Sequence, residues 1–146
     1  MSVKLNSYIN FNGNAKEAVE FYKLVFGGEV VMDTFRSFVE STPDSGMPVE
    51  EADLDKVMHA ALTGENGIEL MFSDVPTGMS VIQPGGQITL TLNGDDEATL
   101  RGYWDKLAEG GQIMIPLEKS PWSDLFGALT DKFGISWMLN ISPKQA

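Results

Sequence analysis

The sequence predicts an α+β fold of two βαβββ modules, forming an incompletely closed mixed sheet that contains a cleft, with helices on the outside. Three observations carry this. Phe11-Asn12-Gly13-Asn14 leads into a helical pattern containing Tyr22, and Leu92-Asn93-Gly94-Asp95 leads into another containing Tyr103; the separation is 81 residues throughout (93 less 12, 94 less 13, 103 less 22). Each helical pattern ends in a glycine pair, Gly27-Gly28 and Gly110-Gly111. The remaining segments are short, alternate in polarity and are bounded by Gly and Pro. A repeated unit of this kind is expected to place two half-sites around one cleft.

The elements follow in chain order. Lys4 to Phe11 alternates, with Leu5, Ser7, Ile9 and Phe11 on one face and Asn6, Tyr8 and Asn10 on the other, and reads as a strand. Asn14 with Glu17 three residues on gives the signature of a capping box. Ala15, Ala18, Val19, Tyr22 and Phe26 fall at helical spacing up to the glycine pair. Glu29 to Phe38 reads as a second strand, and the polar, acidic stretch 39–55 as a long loop or lid. Lys56 to Thr63 and Ile68 to Ser73 form a hairpin around Gly64-Glu65-Asn66-Gly67. Pro76, Gly78, Pro84, Gly85 and Gly86 mark residues 75–86 as a linker. The second unit repeats the order. It has a strand at Gln87–Leu92, a helix opened by Asp95 without a capping box and running to about Glu109, and a strand at Gln112–Leu117. A hairpin of Ser123–Thr130 and Ile135–Ile141 closes it. Residues 1–74 and 87–146 are thus two modules of one domain spanning 1–146.

Composition narrows the function. The chain has no cysteine, which excludes thiolate metal sites and cysteine nucleophiles. A formal charge of −11 argues against nucleic acid and anionic membrane surfaces, since phosphate binders need an excess of Lys and Arg. No apolar run approaches membrane-spanning length and no leader pattern opens the chain, so a cytoplasmic protein is expected.

Four strands share one property. One face is apolar and is expected to pack on a helix; the other carries uncharged polar groups and adaptable apolar ones. These second faces hold Asn6, Tyr8 and Asn10; Glu69, Met71 and Ser73; Gln87, Thr89, Thr91 and Asn93; and Ser136, Met138 and Asn140. An ordinary wet face would carry Lys, Arg and Glu. This mixture suits a partly dry, ligand-lined surface.

Tyr8-Ile9-Asn10-Phe11-Asn12-Gly13-Asn14-Ala15-Lys16-Glu17-Ala18, Phe21-Tyr22 and Phe26-Gly27-Gly28 resemble the vicinal oxygen chelate superfamily. So do Val57-Met58-His59-Ala60, Leu70-Met71-Phe72-Ser73-Asp74, Trp122-Ser123-Asp124 and Asp131 through Trp137. That group includes glyoxalases, extradiol dioxygenases and bleomycin-resistance proteins, and the chain is most similar to its PhnB-like branch. Members of this branch have been named demethylubiquinone methyltransferases, but no glycine-rich nucleotide loop is present to hold a methyl donor. The resemblance implies a divalent metal held by one ligand from each of four strands. Carried over, those positions fall on Asn6, Glu69, Gln87 and Met138, of which only Glu69 is a usual ligand. No metal site and no cofactor is therefore expected.

The resemblance implies one of two functions. One is a metal-independent small-molecule binding protein whose cleft is lined by Asn6, Tyr8, Asn10, Glu69, Met71, Gln87, Thr89 and Met138, with Trp122 and Phe126 as an aromatic wall or as core. The other is a metal-dependent lyase, isomerase or transferase in which Glu69 is ligand or base and His59 stabilises an enolate. His59, the single histidine, reads either as a general base or displaced ligand or as a hydrogen-bonded core or interface residue. The expected partners are a small-molecule ligand and a second copy of the chain in a homodimer.

Overall fold

The computed structural model describes residues 5–41, 49–76, 88–120 and 123–142, with backbone alone at Ser123 and Asp124. The chain divides into two compact units, Met1–Ile82 and Gln83–Ala146. The first holds β1 (Ser7–Phe11), α1 (Ala15–Phe26), β2 (Glu29–Thr34), α2 (Phe35–Ser41), β3 (Val57–Thr63) and β4 (Glu69–Asp74). The second holds β5 (Leu90–Gly94), α3 (Glu97–Ala108), β6 (Gln112–Ser120), β7 (Ser123–Thr130) and β8 (Ser136–Ile141). Each unit is a four-stranded mixed sheet, ordered β1-β4-β3-β2 in one and β5-β8-β7-β6 in the other. In both, the first and last strands pair in parallel and the rest antiparallel. The α+β class and the doubled βαβββ order are thus as the sequence predicts.

The doubling is one of topology and not of fixed spacing. α1 and α3 are each 12 residues long. The eighth position is Tyr22 in α1 and Trp104 in α3, so Tyr103 corresponds to Phe21 and not to Tyr22 as the constant separation implied. The glycine pairs do correspond. A Cβ on Gly28 would overlap the carbonyl oxygen of Thr63, and one on Gly111 the carbonyl oxygen of Thr130. Each therefore lets the chain leaving a helix run against the end of the third strand of its own unit.

Helix–sheet seams supply the core. In the first unit Val19, Tyr22 and Phe26 of α1 and Leu62 and Phe72 of the sheet are all at most 2% exposed. Tyr22 stacks on Phe72 at 5.6 Å between ring centroids. Burial of each such side chain is worth roughly 1.5–3 kcal/mol, so this seam outweighs any single cap or ion pair. In the second unit Leu100, Trp104 and Leu107 of α3 and Leu129, Trp137, Leu139 and Ile141 of the sheet are buried.

Three sequence expectations need correction. The second strand stops at Thr34, and Phe35–Ser41 is a helix. Phe35, Phe38 and Val39 are its more buried residues, at helical and not strand spacing. The Thr34 hydroxyl accepts from the Ser37 backbone N–H at 3.1 Å, and the Phe35 and Arg36 N–H groups donate to the Lys56 and Leu54 carbonyls. The stretch 39–55 is consequently not all loop: it begins in α2 and contains a 3₁₀ turn, Glu51–Asp53, while residues 42–48 lie outside the described residues. Second, Asn14 makes no side-chain cap bond, so the capping box does not form. Asp74 takes its place: Oδ1 accepts from the Gly13 and Ala15 N–H groups and Oδ2 from that of Val57, each at 2.9 Å. Third, α3 is capped by Asp96, one residue later than expected, whose carboxylate accepts from the Thr99 N–H at 3.1 Å and hydroxyl at 2.8 Å.

Candidate functional site

The candidate site is the face of each sheet turned away from its helix. In the first unit Leu70, Phe72, Ala60 and Leu62 are buried on the α1 side. Strand alternation therefore sends Glu69, Met71, Ser73, His59 and Ala61 to the opposite face, where all five are partly exposed. Register lays this face out in rows. One runs Tyr8, Met71, Ala61, Val31 across β1, β4, β3 and β2. A second holds Asn10 beside Ser73, with His59 beside Asp33. A third holds Glu69, Thr63 and Glu29.

Two side chains meet over this face. The Tyr8 hydroxyl and His59 Nδ1 lie 3.4 Å apart, with ring centroids at 5.7 Å and planes tilted by 32°. The pair bridges from β1 to β3 over the β4 strand between them. Tyr8 is 49% exposed, so its ring is a wall and not core. Ser73 directs its hydroxyl to the Met58 carbonyl at 2.9 Å, a bond that ties β4 to β3. His59 is thus a partly buried, hydrogen-bonded residue of the open face and not of the helix-facing core. Asn6 precedes β1, and Asn10 is exposed within it.

In the second unit the open face has equivalent rows. Thr91, Met138, Ala128 and Ile115 form one; Asn93, Asn140, Phe126 and Glu118 form another. Phe126 belongs to this face, opposite buried Leu129, and not to the helix seam. Thr89 is exposed just before β5. Gln87 and Trp122 lie outside the described residues. The carboxylate of Asp131 organises the β7–β8 hairpin: it accepts from the Phe133 and Ile135 N–H groups and, at 2.9 Å, from Trp137 Nε1.

The donors among the described residues do not fit a divalent metal. Among the described residues no group of three His, Cys, Asp or Glu stands together in a way that could hold one. On the first face Glu69 is in register with Thr63, four residues from His59 along β3. That is about 13 Å of strand, too far for both side chains to stand over one ion as they rise from the sheet. Met138 of the second face is a soft thioether, unsuited to a hard cation.

The shifted ionisations lie away from these faces. The Asp55 carboxyl is held below the ordinary carboxylate range by the Arg36 hydrogen bond at 3.0 Å and by the Arg36 charge. The Lys56 ammonium is raised by its bond to the buried Asp53 carboxylate at 2.7 Å. These groups anchor α2 and the 3₁₀ turn to the start of β3.

Comparison with known proteins accords with this geometry. Residues 4–139 match the Glyoxalase/Bleomycin resistance protein/Dioxygenase superfamily. The chain is 29% identical over 145 residues to Protein YjdN of Escherichia coli (strain K12), covering 97% of each. It is similar to the crystal structure of protein PA1353 from Pseudomonas aeruginosa, at 33% identity and TM-score 0.81, covering 98% of this chain and 100% of that one. It is also similar to a structure described as a putative 3-demethylubiquinone-9 3-methyltransferase, PhnB protein, from Bacillus cereus. There the identity is 30% and the TM-score 0.68, with 96% and 100% of the two chains covered.

Proposed function

The chain belongs to the Glyoxalase/Bleomycin resistance protein/Dioxygenase superfamily, and from that premise we propose that it binds a small polar-aromatic molecule without a metal. The first sheet's open face is the binding surface. The observation that supports this is the Tyr8–His59 pair: two partly exposed rings joined at 3.4 Å across β4, on a face where Glu69 is the one carried-over ligand position that keeps a usual ligand. A ring-bearing ligand gains stacking and thioether contact there, and Asn10 and Glu69 orient its polar groups. No methyl transfer is proposed, because no glycine-rich loop is present to hold a methyl donor.

A fragment library of neutral heteroaromatics, read by chemical shifts of the ¹⁵N-labelled protein, tests the reading. Binders are expected to move the Tyr8, His59 and Met71 signals. Tyr8→Ala should weaken them about tenfold, the scale of one aromatic contact. Glu69→Gln should alter their affinity while leaving the melting temperature within about a degree. A library that leaves this face unmoved, or unchanged affinity in both variants, removes the assignment. Elemental analysis after incubation of untagged protein with Ni, Zn, Mn and Mg is expected to show no retained metal. Stoichiometric metal would transfer the case to a metal-dependent lyase, isomerase or transferase with Glu69 as ligand.

One contact favours a second reading, proton transfer without a metal. The Tyr8 hydroxyl meets Nδ1 of His59; in the tautomer in which Nδ1–H donates to the Tyr8 oxygen, Nε2 carries the lone pair and is the base for an acidic C–H or O–H. Exchange of a fragment's acidic C–H into deuterated solvent, expected with the wild-type chain and lost in His59→Gln, separates this reading from passive binding, which catalyses no exchange.

A further inference from the structure

The open face of the second sheet carries a polar atom for which the described residues supply no partner. β8 is an interior strand, flanked by β5 and β7. Trp137, Leu139 and Ile141 are buried on its α3 side, so Ser136, Met138 and Asn140 point the other way. Asn140 is in register with Asn93 on β5 and with Phe126 on β7. Its carboxamide oxygen Oδ1 is shut off from solvent and has no hydrogen-bond partner, the one such side-chain atom among the described residues.

The contrast with the buried polar side chains is direct. Asp74 satisfies three backbone N–H groups, Asp131 two backbone groups and an indole, and Asp53 a lysine. A buried acceptor without a donor costs free energy that a leucine of similar size would avoid. Asn140 as a residue is partly exposed, so a turn of its side chain brings this acceptor to the face, where a donor from outside can reach it.

We propose that Asn140 anchors a ligand subsite on this face, and that the group it takes is a neutral N–H donor carried on a ring, as in an aromatic carboxamide or lactam. Oδ1 of Asn140 accepts the ligand N–H. Asn93, exposed beside it, offers an amide to the carbonyl of the same ligand group. Phe126 on the other side supplies the ring contact. Glu118, next to Phe126 in the same row, disfavours a carboxylate in that position. The inference rests on the reading of the open faces as ligand surfaces and adds the chemistry of one position.

Benzamide and benzoate are matched probes, alike in ring and size and different in the N–H group and the charge. With the full ¹⁵N-labelled chain, millimolar benzamide is expected to shift the Asn93, Phe126 and Asn140 signals, and benzoate to leave them in place. Asn140→Leu should weaken benzamide at this face by roughly tenfold or more, while the melting temperature stays level or rises because the unpaired oxygen is gone. Equal shifts from both probes, no shift from benzamide, or an Asn140→Leu variant that melts several degrees lower would each overturn the proposal. The wild-type comparison alone decides if the variant does not fold. Tyr8 and His59 report in the same spectra, so failure at Asn140 is distinguishable from failure of the first face to bind.

Discussion

Asp74 does the work of several residues. Its carboxylate ties the turn and first residue of α1 to the start of β3, two segments far apart in sequence. Asp74 is 2% exposed, and Ala15 and Val57 are buried with it, so their two N–H groups have no water as a substitute. Asp74→Ala should therefore lower unfolding free energy by about 3 kcal/mol, with an unchanged m-value, in urea denaturation; a cost below about 1 kcal/mol would show that the cap is redundant. The signal for it in the sequence is slight, because an Asp closing an apolar strand looks like the first residue of a turn. Asp55 behaves differently. Arg36 lowers its folded pKa below the unfolded one, so the pair's contribution is present at neutral pH and disappears as pH falls through the folded value. Asp55→Asn should be slightly less stable than wild type at neutral pH, and the gap should close as both are taken into acid. Because both partners are well exposed, the gap is small, and salt should shrink it.

At the scale of elements, alternation and glycine punctuation placed the strands and α1 well, because a half-buried strand and an amphipathic helix each write their period into the chain. The exception is α2. Its two phenylalanines extend a β-branched run, and only the Thr34–Ser37 cap with the Phe35, Phe38, Val39 spacing marks the change of period. Gly28 shows what an element boundary demands. It has φ +92° and its Cβ position is occupied by the Thr63 carbonyl, whereas Gly67, at φ +77°, has open space around it. Gly67→Ala should cost about 1 kcal/mol of backbone strain. Gly28→Ala should exceed it by about 2 kcal/mol or more in thermal unfolding, the added cost being overlap. Equal costs for the two would mean that the β2–β3 approach relaxes freely.

At the scale of the molecule, the apolar edge of the second sheet bears on assembly. Among the described residues β6 is an edge strand, paired with β7 alone, and it carries Ile113, Met114 and Ile115 at 48%, 59% and 47% exposure. Exposed edges of this kind usually carry charge. A homodimer that covers this edge is the expected state in sedimentation equilibrium. Ile115→Lys should weaken it by at least tenfold, and a wild-type chain that stays monomeric at high micromolar concentration would refute it.

The sequence by itself determined the α+β class, the doubled βαβββ order and which residues of β1, β4, β5 and β8 share a face, since period and punctuation are local properties of the chain. It also determined that a thiolate centre is excluded and that a histidine-rich one is out of reach, since a chain with no cysteine and one histidine cannot build either. The tertiary structure decided the rest. Strand order brought Tyr8 to His59 across 51 residues, carried Asp74 back to the start of α1, and set Asn140 between Asn93 and Phe126 with its oxygen unpaired. These are contacts between segments remote in sequence. Register and strand order create them, and no local pattern encodes which strand becomes which strand's neighbour.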